Sequence, residues 1–171
     1  MKTTSPIEKY FRKGVLVDTN LLIVLLVGWF NPQHLKNCRA TKSSINPEEF
    51  LMLERFVGQF DQIITTPHIL TEVSNLAGRL PESLHTPFRM VFSRMIETWA
   101  EQTRPAAEIT KHPHFLRFGL TDTAISMIAP GSCLVLTDEL PLFGLLQSRG
   151  VDVINFNEVR EQAWDNRATD D

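Results

Sequence analysis

The chain has 171 residues, a formal net charge of −3, and 43% hydrophobic and 22% charged residues. This composition is that of an ordinary globular protein of one domain, and it excludes a collagen-like, low-complexity or wholly disordered chain. A protein that coats DNA is usually more basic, so a nucleic-acid partner would be met by local patches or by metal ions. The two cysteines, Cys38 and Cys133, form no C-x-x-C and no zinc pattern, which favours a reducing, cytoplasmic compartment.

The first apolar stretch, VLVDTNLLIVLL at residues 15–26, carries one charge, Asp18. The basic residues before it could mimic a signal peptide, but the apolar run that follows is too short to span a bilayer and lacks a convincing cleavage site. We therefore predict a buried strand that ends at Asp18. A helix over residues 19–30 follows, capped by Thr19 or Asn20, with one apolar face formed by Leu22, Leu25, Leu26 and Trp29.

Helices and strands alternate through the rest of the chain. After a polar connection, the patterns predict helices over 47–60, 67–80 (capped by Thr66), 82–104, 119–129, 139–150 and 157–167, and strands over 62–66, 107–110, 133–138 and 151–156. The strands are apolar runs, which is typical of a parallel sheet covered on both faces. We predict a three-layer α/β/α sandwich with a central parallel sheet of four to five strands, formed by a single domain over residues 1–171. It carries a polar insertion near 31–46 and a polar C-terminal tail, 165–171.

Four acidic residues are expected at one edge of this sheet. Asp18 and Asp138 each end a predicted strand, and ligands of parallel sheets bind outside the carboxyl ends of the strands. Asp122 lies in the first turn of a later helix, and Glu72 flanks the apolar face of the helix over 67–80. Converging carboxylates repel one another, and Mg²⁺ or Mn²⁺ is the natural counter-charge. Since such ions hold phosphodiesters and activate water, the residues predict a metal-dependent nuclease.

The motifs VLVDTNLLI, TPHILTEVSNL, FGLTDTAI and LVLTDELPLFGLLQSRGVDVINF, in this order, resemble the PIN-domain ribonucleases, including the VapC-type toxins of bacterial toxin–antitoxin pairs. The resemblance covers nearly the whole chain. It implies hydrolysis of RNA with Mg²⁺ or Mn²⁺ held by four acids: Asp18, Glu72, Asp122 and Asp138. It also implies that two polar residues, Asn20 and Thr137, orient these acids. An antitoxin protein and a second copy of the chain are the further partners to consider. The distance along the chain from Asp18 to Glu72 is longer than in compact VapC toxins, which bears on the toxin subgroup more than on the chemistry.

Several of these residues also fit a simpler structural role. Asp18, Asn20 and Asp138 are also typical helix caps, and Glu139 and Asp152 are expected to be solvated. The aromatic residues of the middle segment are expected in the core or at an interface: Phe88, Phe92 and Trp99.

Two basic stretches are candidate RNA contacts. The histidines of KHPHF, residues 111–115, lack the two further ligands that zinc needs, so we expect an exposed loop. The basic residues Lys111 and Arg117 are candidates for phosphate contact just before Asp122. The insertion carries three basic residues that are either solvated or grip RNA: Lys36, Arg39 and Lys42.

Other functions compete with nuclease activity. A catalytically silent PIN-like scaffold that binds RNA or protein is the main alternative, and the full set of four acids argues against it. A receiver domain needs an acidic pair and a late lysine, and a haloacid-type phosphatase needs D-x-D where this chain has D-x-N, so both are weaker predictions.

Overall fold

The computed structural model describes residues 5–37 and 45–168, and the side chains of residues 5–36 and 45–162. The helices are α1 (Pro6–Tyr10), α2 (Thr19–Phe30), α3 (Pro47–Val57), α4 (Pro67–Ala77), α5 (Glu82–Ile96), α6 (Ala106–Ile109), α7 (Phe115–Ile128), α8 (Leu140–Ser148) and α9 (Phe156–Ala168), with a 3₁₀ helix at Pro32–Asn37. The strands are β1 (Val15–Val17), β2 (Ile63–Thr65), β3 (Ala100–Glu101), β4 (Leu134–Thr137) and β5 (Val153–Asn155). Cys38, Arg39, Lys42 and the last residues of the predicted tail lie outside the described residues.

The five strands form one parallel sheet in the order β3-β2-β1-β4-β5. Every residue of β1 and β4 is buried, as expected for central strands with helices on both faces. The predicted α/β class with a parallel sheet of up to five strands is confirmed. The chain runs from β1 to β2 on one side and later reaches β4 on the other, so the sheet has a topological switch point between β1 and β4. The carboxyl ends of these two strands are the usual place for a ligand.

The predicted helix is present as α2, and it is buried around most of its circumference rather than only on the face that Leu22, Leu25, Leu26 and Trp29 share. Residues 20–28 are all buried, and the helix packs against α3, α4 and α5. A helix that is apolar on all sides belongs in the interior of a protein. Its cap is Asp18, one residue before the predicted caps. Among the described residues, no helix combines the length and apolar character that crossing a membrane requires.

Two predictions in the middle of the chain are wrong. The helix predicted over 82–104 ends at Ile96, and the following residues form β3, where Ala100 pairs with Ile64 of β2. The strand predicted over 107–110 is helix α6. A strand of two residues has no periodicity to detect, and its hydrogen bonds come from a neighbour distant in sequence.

Candidate active site

A cleft of about 400 Å³ opens at the carboxyl ends of β1 and β4, between α2, α4 and α7. Its charged lining residues are all acidic: Asp18, Glu72, Asp122 and Glu139. Among the described residues that line it there is no lysine, arginine or histidine. Three of the four acids predicted to lie together therefore face one cleft, and a fourth carboxylate there is Glu139 rather than Asp138.

Asp18 is held at the junction of β1 and α2. The strand ends at Val17, the backbone of Asp18 stays extended, and its side chain caps α2 by accepting a hydrogen bond from the Asn20 amide at 2.9 Å. Its other carboxylate oxygen accepts from the hydroxyl of Thr137, the last residue of β4. The side chain is only 4% exposed. Asp18 is thus both a helix cap and a buried acid, and the two roles are compatible.

The surroundings of Asp18 disfavour its charge. Burial, together with the negative charges of Asp138 and Glu139, raises the pKa of its carboxyl from 3.8 to about 7, although hydrogen bonds from Thr137 and Asn20 oppose the rise. A carboxylate whose neighbours are other carboxylates gains stability from a nearby cation, which would compensate for the lost hydration.

Glu72 reaches the cleft from α4. The hydroxyl of Thr66 caps this helix by accepting from the Ile69 amide at 3.2 Å, as the sequence predicted. One carboxylate oxygen of Glu72 accepts from Thr19 at 2.9 Å, and the other accepts from Thr121 at 2.6 Å. Glu72 therefore ties α4 to the first turn of α2 and to α7.

Asp122 reaches the cleft from α7, where the helix is interrupted at Gly119. Gly119 has a φ of 74° and a ψ of −168°, a conformation that residues with a Cβ rarely adopt. The sequence predicted a helix that opens near Thr121 and Asp122, and the break gives these two residues that position within α7. Both line the cleft.

Glu139 is the residue that sequence reasoning missed. It is half-buried rather than solvated, and its carboxylate accepts from the side-chain amide of Asn20 at 2.7 Å. Its own amide donates to the Thr137 hydroxyl at 3.0 Å. The available signal was the position of Glu139 directly after a strand that ends in T-D, where either acid can turn toward the cleft.

Asp138 lies beside the cleft rather than among the residues that line it. Its charge is close enough to raise the pKa of Asp18, and its backbone oxygen accepts from the Asn157 side chain at 2.9 Å. Asn20 and Thr137 are placed as expected of orienting residues, since each contacts Asp18 and Glu139.

Other candidate residues lie away from the cleft. Asp152 forms an ion pair with Lys9 at 2.6 Å instead of being solvated. His112, which precedes α7, contacts Arg149, which follows α8, at 3.0 Å. Phe88 is 1% exposed, and Phe92 and Trp99 pack against the core, as expected.

The donor atoms of the cleft fit a hard divalent cation, since all its charged groups are carboxylates. Over residues 5–37 and 45–168, no three His, Cys, Asp or Glu side chains converge closely enough to hold an ion together. Mg²⁺ in proteins is commonly held by one or two carboxylates, with water and substrate phosphates completing its shell. An open acidic cleft is compatible with that mode of binding.

Comparisons of the chain with protein-family models, with curated proteins and with solved structures find no match. The chemistry of the cleft therefore has to be inferred from its own residues.

Proposed function

We propose that the protein is a metal-dependent endoribonuclease of PIN type, with its site in the acidic cleft. The observation that carries the proposal is the buried Asp18 in a cleft whose other charged lining residues are also acidic. This cleft lies at the switch point of a parallel sheet, where such folds bind their ligands. The choice of RNA as substrate rests on the resemblance of the four sequence motifs to PIN-domain ribonucleases.

The residues of the cleft divide into ligands and positioning groups. Asp18 is the central ligand, because it is the most deeply buried acid and has the strongest need for a positive partner. Glu72, Asp122 and Glu139 surround the space in front of it. Asp138 adds negative charge near Asp18, while Asn20 and Thr137 fix the orientation of Asp18 and Glu139.

Mg²⁺ or Mn²⁺, when bound, supplies Lewis-acid stabilisation of a phosphodiester and activation of water. The carboxylates hold the charge balance, and the hydroxyls of Thr19 and Thr121 keep Glu72 facing the cleft. With this division of roles the protein needs no histidine base.

A catalytically silent scaffold is the second candidate. The observation that favours it is the state of Glu72, whose two carboxylate oxygens both accept hydrogen bonds from threonine hydroxyls. A carboxylate satisfied in this way can serve a purely structural network.

The decisive experiment combines Mn²⁺ binding with RNA cleavage. Calorimetric titration of the wild type with Mn²⁺ should show binding that Asp18→Asn abolishes, and a mixed RNA pool should be cleaved with Mn²⁺ or Mg²⁺ but not with EDTA. We expect Asp18→Asn to reduce cleavage by more than about 100-fold, because loss of outer-shell groups alone commonly costs 10–100-fold. Asp61→Asn, at an exposed aspartate outside the cleft, is the matched control.

The two candidate functions give different outcomes. Cleavage that persists in EDTA or in Asp18→Asn would contradict the metal-dependent mechanism. A wild type that neither binds Mn²⁺ nor cleaves the pool, yet retains RNA, would favour the scaffold.

A role as the toxin of a toxin–antitoxin pair is a narrower part of the proposal and rests on the resemblance alone. Under it, expression in a bacterial host arrests growth, Asp18→Asn relieves the arrest, and an antitoxin protein copurifies. Normal growth with wild-type protein that is active in vitro would limit the proposal to a cytoplasmic nuclease, alone or as a homodimer.

A further inference from the structure

We propose that the groove between α7 and α8 binds a single-stranded nucleic acid and leads it into the acidic cleft. We call it the basic groove and define it by His114, Arg117 and Phe118 on one side and Leu140 and Ser148 on the other. The role of the bound strand as a substrate rests on the proposed nuclease function. The binding itself is argued from the groove.

The basic groove and the cleft share a lining residue. Phe118 lines both, since it sits immediately before the break at Gly119. The groove has a volume of about 360 Å³, close to that of the cleft, and Phe118 is the lining residue that the two have in common. A nucleic-acid strand laid in the groove would pass the ring of Phe118 before it meets the carboxylates.

The groove has the charge that the cleft lacks. Arg117 lines it, and Arg149 is the next residue in the chain after Ser148, which also lines it. Neither arginine forms an ion pair within the described residues, and Arg149 instead contacts His112 at 3.0 Å. Desolvation, the charge of Arg149 and the neighbouring His114 lower the pKa of His112. The chain as a whole has a net charge of −3, yet these two arginines lie at or beside the groove without a carboxylate partner in the part of the chain that the structure describes. Such a local positive charge is suited to an anionic partner.

A polyanion needs such a neighbouring surface. An acidic cleft repels phosphates, so the substrate backbone has to be held by cations outside it. Arginine is well suited to this because its planar guanidinium donates to phosphate oxygens in a fixed geometry.

The groove also offers stacking and apolar contacts. The guanidinium carbon of Arg117 lies 5.1 Å from the centre of the Phe118 ring, and Leu140 exposes 67% of its surface. Proteins that bind single strands combine a cationic path for the backbone with aromatic side chains on which bases stack. Duplex bases are already stacked on one another, so these contacts favour a single strand.

The test measures binding of a labelled oligouridylate by fluorescence anisotropy in EDTA, so that neither cleavage nor a divalent ion contributes. We expect the double variant Arg117→Gln/Arg149→Gln to weaken binding by about tenfold at low salt. The slope of log affinity against log salt should become shallower by about 0.7 for each phosphate that the variant no longer neutralises. Arg94→Gln, at an exposed arginine on α5, is the matched control and should bind like the wild type.

A second variant separates stacking from charge. Phe118→Leu should weaken binding about fivefold or more at every salt concentration and leave the salt slope unchanged. Oligothymidylate should show the same weakening in both variants, because the groove contacts backbone and base faces common to RNA and DNA.

Several outcomes would overturn the inference: no binding by the wild type in EDTA, wild-type affinity in the double variant, an equal weakening in Arg94→Gln, or tighter binding of a duplex than of a single strand. Mn²⁺ titration of Arg117→Gln/Arg149→Gln without nucleic acid should match the wild type. Failure of the groove is then distinguishable from failure of the proposed nuclease, since absence of Mn²⁺ binding and cleavage in the wild type would contradict only the latter.

Discussion

An aspartate lies at each end of the parallel sheet, and the surroundings shift the pKa of the two in opposite directions. At the amino ends of the strands, Asp152 precedes β5 and is bonded to Lys9 at 2.6 Å and to the Tyr10 hydroxyl at 2.8 Å. These two hydrogen bonds lower its pKa. At the carboxyl ends, burial and the charges of Asp138 and Glu139 raise the pKa of Asp18 to about 7.

The contrast separates a stabilising contact from a candidate site. The pairing at Asp152 joins α1 to the start of β5, and its charges balance within the chain. The cleft around Asp18 accumulates charge of one sign, which costs folding free energy unless a ligand supplies the opposite sign. Strongly perturbed carboxylates in a cleft are therefore candidates for function.

The largest expected effect is that of Asp18→Asn on the pH dependence of the free energy of unfolding in metal-free protein. Because the pKa of Asp18 is about 7 in the folded state and near 3.8 when unfolded, the folded state binds more protons between these values. Wild-type stability should then fall as the pH rises from about 4 to about 7. Asp18→Asn should have the same free energy of unfolding at pH 4, and a higher one by about 1 to 3 kcal/mol at pH 8.

Urea unfolding in EDTA across this pH range measures the effect, and Asp61→Asn should follow the wild type. Parallel pH profiles for wild type and Asp18→Asn would show that the charge of Asp18 is not costly. Saturating Mn²⁺ should stabilise the wild type at pH 8 but not Asp18→Asn, since only a ligand that binds the folded state shifts the equilibrium.

A smaller effect distinguishes the two acids that follow β4. Glu139→Gln should weaken Mn²⁺ binding by about tenfold, because it removes a charge from the cleft while the new amide oxygen still accepts from Asn20. Asp138→Asn should weaken binding less, since the Asp138 side chain is not among those that line the cleft. Calorimetry decides between them. A larger weakening in Asp138→Asn would restore the ligand set that the resemblance implies.

The smallest effect is expected at the other end of the sheet. Asp152→Asn keeps an acceptor for Tyr10 but removes the charge that pairs with Lys9, and a partly exposed pair contributes little. We expect the Tm at pH 7 to fall by at most about 3 °C. Because the pKa of Asp152 is lowered, the difference should disappear as the pH falls below 3.8 and through that lowered value. A difference in Tm that persists at low pH would assign the effect to packing.

The sequence was most informative where a strand is a wholly apolar run or a helix begins with a clear cap signal. The apolar runs before Asp18 and Asp138 predicted β1 and β4, and Thr66 and Pro67 predicted the start of α4, because these signals lie within a few neighbouring residues. The strand β3 and helix α6 were missed, since short elements carry little local signal and depend on distant partners.

For the candidate site, the sequence by itself determined that Asp18, Glu72 and Asp122 would be available at the carboxyl edge of a parallel sheet, because strand ends and helix starts fix that edge. Only the tertiary structure decided which of Asp138 and Glu139 lines the cleft, since a turn of one residue redirects a side chain. The structure also decided that α2 is buried nearly all round and that Phe118 lines both the cleft and the basic groove. These outcomes depend on how elements distant in sequence pack together, and no local pattern encodes that packing.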